Sequence, residues 1–312
     1  MFRIAHLSDI HLGPLPAVKR RELLSKRMLG YANWRLNRNG DMNDRILDML
    51  VAHMLAAKPD HIAVTGDLVN LALPEELRLA RAWLDTLGDP KDVSAVPGNH
   101  DTYVPGALKE IIRLWQPYMT GDDSRTHYPF PYLRERGDIA LIGTNSGRAT
   151  MPFMATGTFG SKQVEETIAL LRSAQEDGKF RVVMIHHPPF ENATIWNKRL
   201  IGSSRFRAMI AEVGAELILH GHTHIQSIEE VEGPCGPVPV IGVPSASKAP
   251  RGERNEGKEE SSRPGARYNL FSISGGPGKW QCGMEEFGFR DGSEAVELVE
   301  SRDLYPRSPL AA

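Results

Sequence analysis

The 312-residue sequence predicts an α/β fold, and two patterns carry that reading. Short runs rich in Ile, Val and Leu alternate with longer stretches of helical periodicity as far as His224, the pattern of packed α/β layers rather than of a helical bundle. Beyond His224 come strand-like runs without long helices between them, as expected if they complete a second sheet. The hydrophobic share is 41% and the charged share 24%, which is globular rather than disordered.

In order, "RIAHLSD" reads as a strand, "DRILDMLVAHMLAA" as a helix, "PDHIAVTGDLVN" as strand and loop, and "PEELRLARAWLDTL" as a helix. Strand and loop return in "DVSAVPGNHD" and "DIALIGTNS". Next come helix "QVEETIALLRSAQ", strand "FRVVMIHHPPF", helix "RFRAMIAEVG" and strand "AELILHGHTH". "IQSIEEVEG", "VPVIGVPSAS", "ARYNLFSIS" and "WQCGMEEFGF" are the later strands. No linker separates two cores, so residues 1–300 are expected to form a single domain and 301–312 a tail. Polar residues 247–266 read as a mobile loop, and 18–40 as a basic amphipathic insertion.

A net charge of −2 argues against a protein that coats nucleic acid through bulk charge. Cys235 and Cys282 are too few for a disulfide framework or a cysteine-built zinc site, which suits a reducing compartment. No run of about 18 apolar residues suggests a spanning helix, and the first residues do not read as a leader. The expected location is cytoplasmic, with room for peripheral contact at the inner membrane face.

With one exception, the strands up to His224 end in chemistry-bearing residues. Asp9 and His11 follow the first, Asp67 the second, Asn99 and His100 the third. His186 and His187 follow "RVVMI", His222 and His224 follow "LILHG", and "IALIG" ends instead in Thr144 and Asn145. Open α/β sheets bind ligands beyond the carboxyl ends of their strands, where residues distant in sequence meet. Imidazoles, carboxylates and an amide make a nitrogen and oxygen donor set suited to two divalent ions of the Mn, Fe, Zn or Co type. A carboxylate can bridge two such ions ~3.5–4 Å apart, as in many phosphate-ester hydrolases. His6, His53, His61 and His127 read as structural, and His220 as support for the strand end.

Together the blocks "DIH" (9–11), "GDLVN" (66–70), "GNHD" (98–101), "HH" (186–187) and "GHTH" (221–224) resemble those of the calcineurin-like metallophosphoesterase superfamily. The resemblance is greatest to the class III cyclic nucleotide phosphodiesterase branch. It implies a four-layer αββα sandwich with Asp9, His11, Asp67 and His224 on one metal. Asp67, Asn99, His186 and His222 would hold the other, His186 being chosen over His187. Asn70 and Leu71 depart from the "GDxVDRG" block of protein phosphatases. "SDIHLG" also resembles repair nucleases, though no DNA-capping domain follows.

The activity so implied is hydrolysis of a cyclic nucleotide or other small phosphodiester by a hydroxide generated between the metals. Asn99 and His100 are expected to contact substrate, with His100 stabilising the transition state or protonating the leaving oxygen and Asp101 orienting it. Asn145, Trp196 and Arg199 are further substrate candidates, the last two with Lys198 in a lid at 190–207. Residues 18–40 are open to three roles: capping the site, resting on an anionic membrane, or packing. Alternatives are a hydrolase of a lipid-linked pyrophosphate or phosphodiester, a nuclease, or a non-catalytic scaffold. Homo-oligomers are compatible with the sequence.

Overall fold

The computed structural model describes residues 1–23, 25–35, 44–123, 128–250 and 264–305. His127, residues 36–40 of the basic insertion, most of the 247–266 loop and 306–312 lie outside them. In the first third of the chain are β1 (Phe2–Leu7), α1 (Arg27–Asn33), α2 (Asp44–Ala56), β2 (His61–Val64), α3 (Pro74–Leu87) and β3 (Val93–Ala95). The middle holds α4 (Ala107–Trp115), β4 (Tyr132–Arg136), β5 (Ile139–Gly143), β6 (Gly157–Thr158), α5 (Ser161–Glu176) and β7 (Phe180–Met184). Then come β8 (Leu200–Ile201), α6 (Ser203–Val213), β9 (Leu217–His220), β10 (Ser227–Val231) and β11 (Val238–Gly242). Last are β12 (Arg267–Ser274), β13 (Gln281–Phe289) and β14 (Val296–Tyr305).

Two six-stranded sheets result, ordered β14-β13-β12-β1-β2-β3 and β10-β11-β9-β7-β5-β4. In the first, β1, β2 and β3 are parallel and β12 to β14 are antiparallel. In the second, β5, β7, β9 and β11 are parallel, with antiparallel β4 and β10 at the edges. The fold is a four-layer αββα sandwich, with α2 against β12 and β14, α4 against α3, and α5 and α6 over the second sheet. Strand alternation assigns its two interiors. Leu141, Val182, Met184, Leu217 and Leu219 point into the core shared with the first sheet. Their neighbours Ala140, Ile142, Val183 and Ile218 point to the core under α5 and α6.

Helix α3 shows how local sequence serves this plan. Leu77, Ala80, Leu84 and Leu87 form its buried stripe, at helical spacing. Pro74 opens it, at a position where no backbone donor is needed. The buried Glu76 carboxylate accepts from the backbone N–H of Asn70 and of Leu73, both at 2.9 Å, and so ties the helix start to the loop after β2. The tail expected from 301 is corrected: β14 runs on to Tyr305, paired along β13. Beside Asp9 an isolated parallel bridge, Ser8 to Ser245, joins the carboxyl ends of β1 and β11.

Candidate metal centre

All five motifs meet at the carboxyl ends of the parallel strands. The segment after β1 is zipped to the one after β2 by three backbone bonds, Asp9 N–H to Gly66 O, His11 N–H to Asp67 O and Leu12 N–H to Leu68 O, at 2.9–3.0 Å. Glycine is needed where these loops touch. A Cβ on Gly98 would lie 2.6 Å from Asp67 N, and one on Gly66, itself at φ +96°, 2.6 Å from Gly98 N. Asp9, His11, Asp67, His222 and His224 all have left-handed backbone, with φ between 46° and 71°. Such conformations cost non-glycine residues about 1–3 kcal/mol each, and they collect at functional sites.

Three groups of donor atoms form, each within 4.8 Å of one another: Asp9, His11 and His224; His11, Asp67 and His100; Asp67, His186 and His222. Asp67 Oδ2 lies 4.0 Å from His11 Nε2 and 3.3 Å from His186 Nε2, so one carboxylate faces both flanks. Asn99 Oδ1 is 3.3 Å from His186 Nε2. Asp9 Oδ1 is buried and faces His224 Nε2 at 3.0 Å. The other imidazole nitrogens are anchored: His11 Nδ1 donates to Val69 O at 3.2 Å, His186 Nδ1 to Thr65 O at 2.6 Å, and His222 Nε2 to Lys198 O at 2.9 Å. Anchors of this kind fix a ring's tautomer and aim its second nitrogen.

Burial pushes the Asp67 carboxyl up, but His186 and His100 outweigh it and hold it well below the usual range. Burial likewise lowers His186, yet the Asp67 carboxylate prevails and raises it to about 9. A buried pocket that draws a proton onto an imidazole also attracts a cation, which would displace that proton. His187 differs. Burial, then His186, pushes it down to about 3, and its ring nitrogens meet Ser146 Oγ at 2.8 Å and Ala155 O at 3.1 Å. Both are occupied by the protein, so His187 braces the 146–156 segment.

The family described as calcineurin-like phosphoesterase matches residues 2–226. The chain belongs to the calcineurin-like phosphoesterase family. A curated relative, glycerophosphodiester phosphodiesterase GpdQ of Enterobacter lignolyticus, is 30% identical over 140 residues, 43% of this chain and 44% of that protein. The fold resembles a dimetal phosphatase from Danio rerio, with TM-score 0.60, 12% identity and coverage of 97% and 98% of the two chains. It also resembles the purple acid phosphatase PPD1 of yellow lupin, with TM-score 0.58, 11% identity and coverage of 96% and 53%.

A cleft of ≈340 Å³ opens over these donor groups, lined by Asp67, Asn99, His100, His222 and His224. A cavity of ≈780 Å³ bounded by Arg181, Glu216, Trp280 and Tyr305 is larger, but it opens at the amino ends of β7 and β9 and contains none of the donors. Chemistry, not volume, selects the cleft. His100 Nδ1 donates to Asn70 O at 2.6 Å, its N–H donates to Asp67 Oδ1 at 2.7 Å, and its ring stacks on Tyr103.

Four sequence expectations change here. Asp101 is not directed at His100; its carboxylate accepts from the N–H groups of Asp67, Leu68 and Gly98 at 2.8 Å and Val69 at 3.2 Å. It holds the loops after β2 and β3 together. Asn145 is spent on local structure, accepting from Gly147 N–H at 2.8 Å and donating to Tyr128 Oη at 3.0 Å. Trp196, 66% exposed, and Arg199 lie outside the lining, although Lys198 belongs to it. Tyr103, Phe153 and Met154 line the cleft and were not anticipated. Tyr103, two residues past the "GNHD" block, was the one with a sequence signal.

The basic insertion caps the cleft through Lys26, Leu29, Gly30 and Asn33. Burial lowers the Lys26 ammonium to about 8. Among the described residues no helix is long and apolar enough to cross a membrane.

Proposed function

We propose that the chain hydrolyses a small phosphodiester at a dinuclear centre, with Asp9, His11, Asp67 and His224 holding one cation. Asp67, Asn99, His186 and His222 hold the other. The observation that carries this reading is Asp67, whose carboxylate faces His11 on one side and His186 on the other. The residues fit divalent ions: the donors are imidazole nitrogens and oxygens without thiolate, suiting Mn, Fe, Zn or Co. The buried Asp9 Oδ1 and His224 Nε2 face each other at 3.0 Å, a carboxylate and an imidazole that a shared cation would satisfy together. When bound, the cations would provide a hydroxide nucleophile near neutral pH and neutralise charge on the phosphoryl oxygens.

The chain's own residues do the rest. With His100 Nδ1–H given to the Asn70 carbonyl, Nε2 is the atom that meets a phosphoryl or leaving oxygen, stabilising charge or delivering a proton. Asn99 turns a neutral carbonyl oxygen toward His186. A diester is favoured by the similarity to a glycerophosphodiester phosphodiesterase and by the motif set shared with cyclic nucleotide phosphodiesterases. A lipid-linked diester or pyrophosphate is the second reading, favoured by Leu29, Phe153 and Met154 in the cleft wall.

The deciding experiment assays manganese-loaded protein on cyclic nucleotides, glycerophosphodiesters, nucleotide-lipid pyrophosphates and phosphomonoesters. Faster turnover of one diester class is expected. Preference for monoesters would overturn the diester reading.

A further inference from the structure

Large apolar side chains exposed singly are ordinary; gathered in one place they mark an interaction surface. Here three pairs stand out: Met28 and Leu29 (58% and 40% exposed), Met151 and Phe153 (75% and 81%), and Ile195 and Trp196 (64% and 66%). Their segments are stitched together. Lys26 Nζ donates to Thr150 Oγ1 and Met154 O, both at 2.7 Å. Ala155 N–H donates to Asn197 O at 2.8 Å, and Asn197 Nδ2 to Phe153 O at 3.1 Å. Leu29 and Phe153 line the cleft, Met28 and Met151 lie beside them in the chain, and Ile195 and Trp196 are joined to Phe153 through Asn197, so the tips gather on its rim.

The same rim is strongly basic. Residues 18–35, 147–156 and 192–199 carry nine Lys and Arg against one acidic residue, Glu22, in a chain of net charge −2. Lys26 and Arg27 are spent on internal bonds to Met154 O and Leu71 O, and the other seven are exposed. Glu22 itself accepts from Lys19 N–H at 2.8 Å. We propose that this rim docks on an anionic lipid bilayer, its apolar tips entering the boundary between headgroups and acyl chains while its cations meet lipid phosphates. Charge decides among occupants. A second copy would set this basic rim against itself, whereas an anionic bilayer complements it and accepts unpaired apolar tips. Docked this way, the cleft faces the headgroup layer. The inference is independent of the diester reading, because binding is measured without turnover.

The test sediments full-length, manganese-loaded protein with phosphatidylcholine vesicles and with mixed phosphatidylcholine–phosphatidylglycerol vesicles. Partition onto the anionic vesicles should be at least about tenfold stronger and should weaken in high salt. The double variant Met151→Asp/Ile195→Asp should lose about tenfold in vesicle binding, yet hydrolyse soluble bis(p-nitrophenyl) phosphate as the parent does. Arg20→Glu/Arg21→Glu, at two exposed positions, tests the charge by itself and should lose a similar factor. Equal partition onto neutral vesicles, no vesicle binding, or unchanged binding in either double variant would each overturn the proposal. A concentration-dependent dimer that buries the rim and binds no vesicle would overturn it too, assigning the surface to a second copy.

Discussion

Replacing Asp101 with asparagine changes almost no volume but removes a charge that four backbone donors share. Oδ1 accepts from Leu68 and Val69, Oδ2 from Asp67 and Gly98. An asparagine oxygen can keep one of these pairs, while its NH2 must face the other two donors. Two charge-assisted bonds are then lost, at about 1.5–3 kcal/mol each. Burial, and next the neighbouring Asp67 carboxylate, push the Asp101 carboxyl up to about 7, so part of the gain from its charge is already offset. The expected loss is therefore the lower end, about 3 kcal/mol. Because two of the donors belong to Asp67 and Gly98, the metal-facing loops also loosen. Manganese affinity should fall about 10–100-fold, as for other residues that position ligands. Urea unfolding of metal-free protein reads the first effect and calorimetric titration with manganese the second. An unchanged urea midpoint together with unchanged manganese affinity would refute this account of Asp101.

Other substitutions separate neighbouring roles. His100→Ala should lower kcat about 10²–10⁴-fold with metal content retained; full turnover, or loss of metal, counts against its substrate-facing role. Asp67→Ala should deplete both ions along with activity, measurable by atomic absorption, and a variant retaining two ions per chain would contradict the shared carboxylate. His61, far from the cleft, offers a pH test. Burial, then Arg134 and Arg136, depress it from 6.5 to about 3, so below 6.5 the unfolded chain binds a proton that the folded chain refuses. Stability is lost as pH falls through that window, by up to about 1.4 kcal/mol per pH unit. His61→Gln should flatten the slope of unfolding free energy between about pH 6 and about pH 5 by roughly that amount; parallel slopes would show that His61 titrates normally.

The candidate donor set was legible because its chemistry is local: the strands deliver an imidazole, carboxylate or amide where the backbone leaves the sheet. The apolar strands feeding those positions, such as Ile62–Val64 and Val182–Met184, announce themselves by composition. β4 did not, because Arg134 at its centre looks like a surface residue. The residue is 2% exposed, and its guanidinium donates to the carbonyls of Pro90, Val93, Pro117 and Thr120. β14 did not either; it is an edge strand rich in polar residues, in which only Leu304 is buried.

Residue types at strand ends thus determined the family and the fold and nominated the candidate donors. Only the tertiary structure decided that Asp101 braces the loops, that Asn145 serves a turn, and that Tyr103 and Phe153 border the cleft. The physical reason is the range of the interactions. Ligand chemistry requires particular side chains at particular chain positions, whereas the direction of a hydrogen bond and the lining of a mouth depend on which distant loops the sandwich brings together.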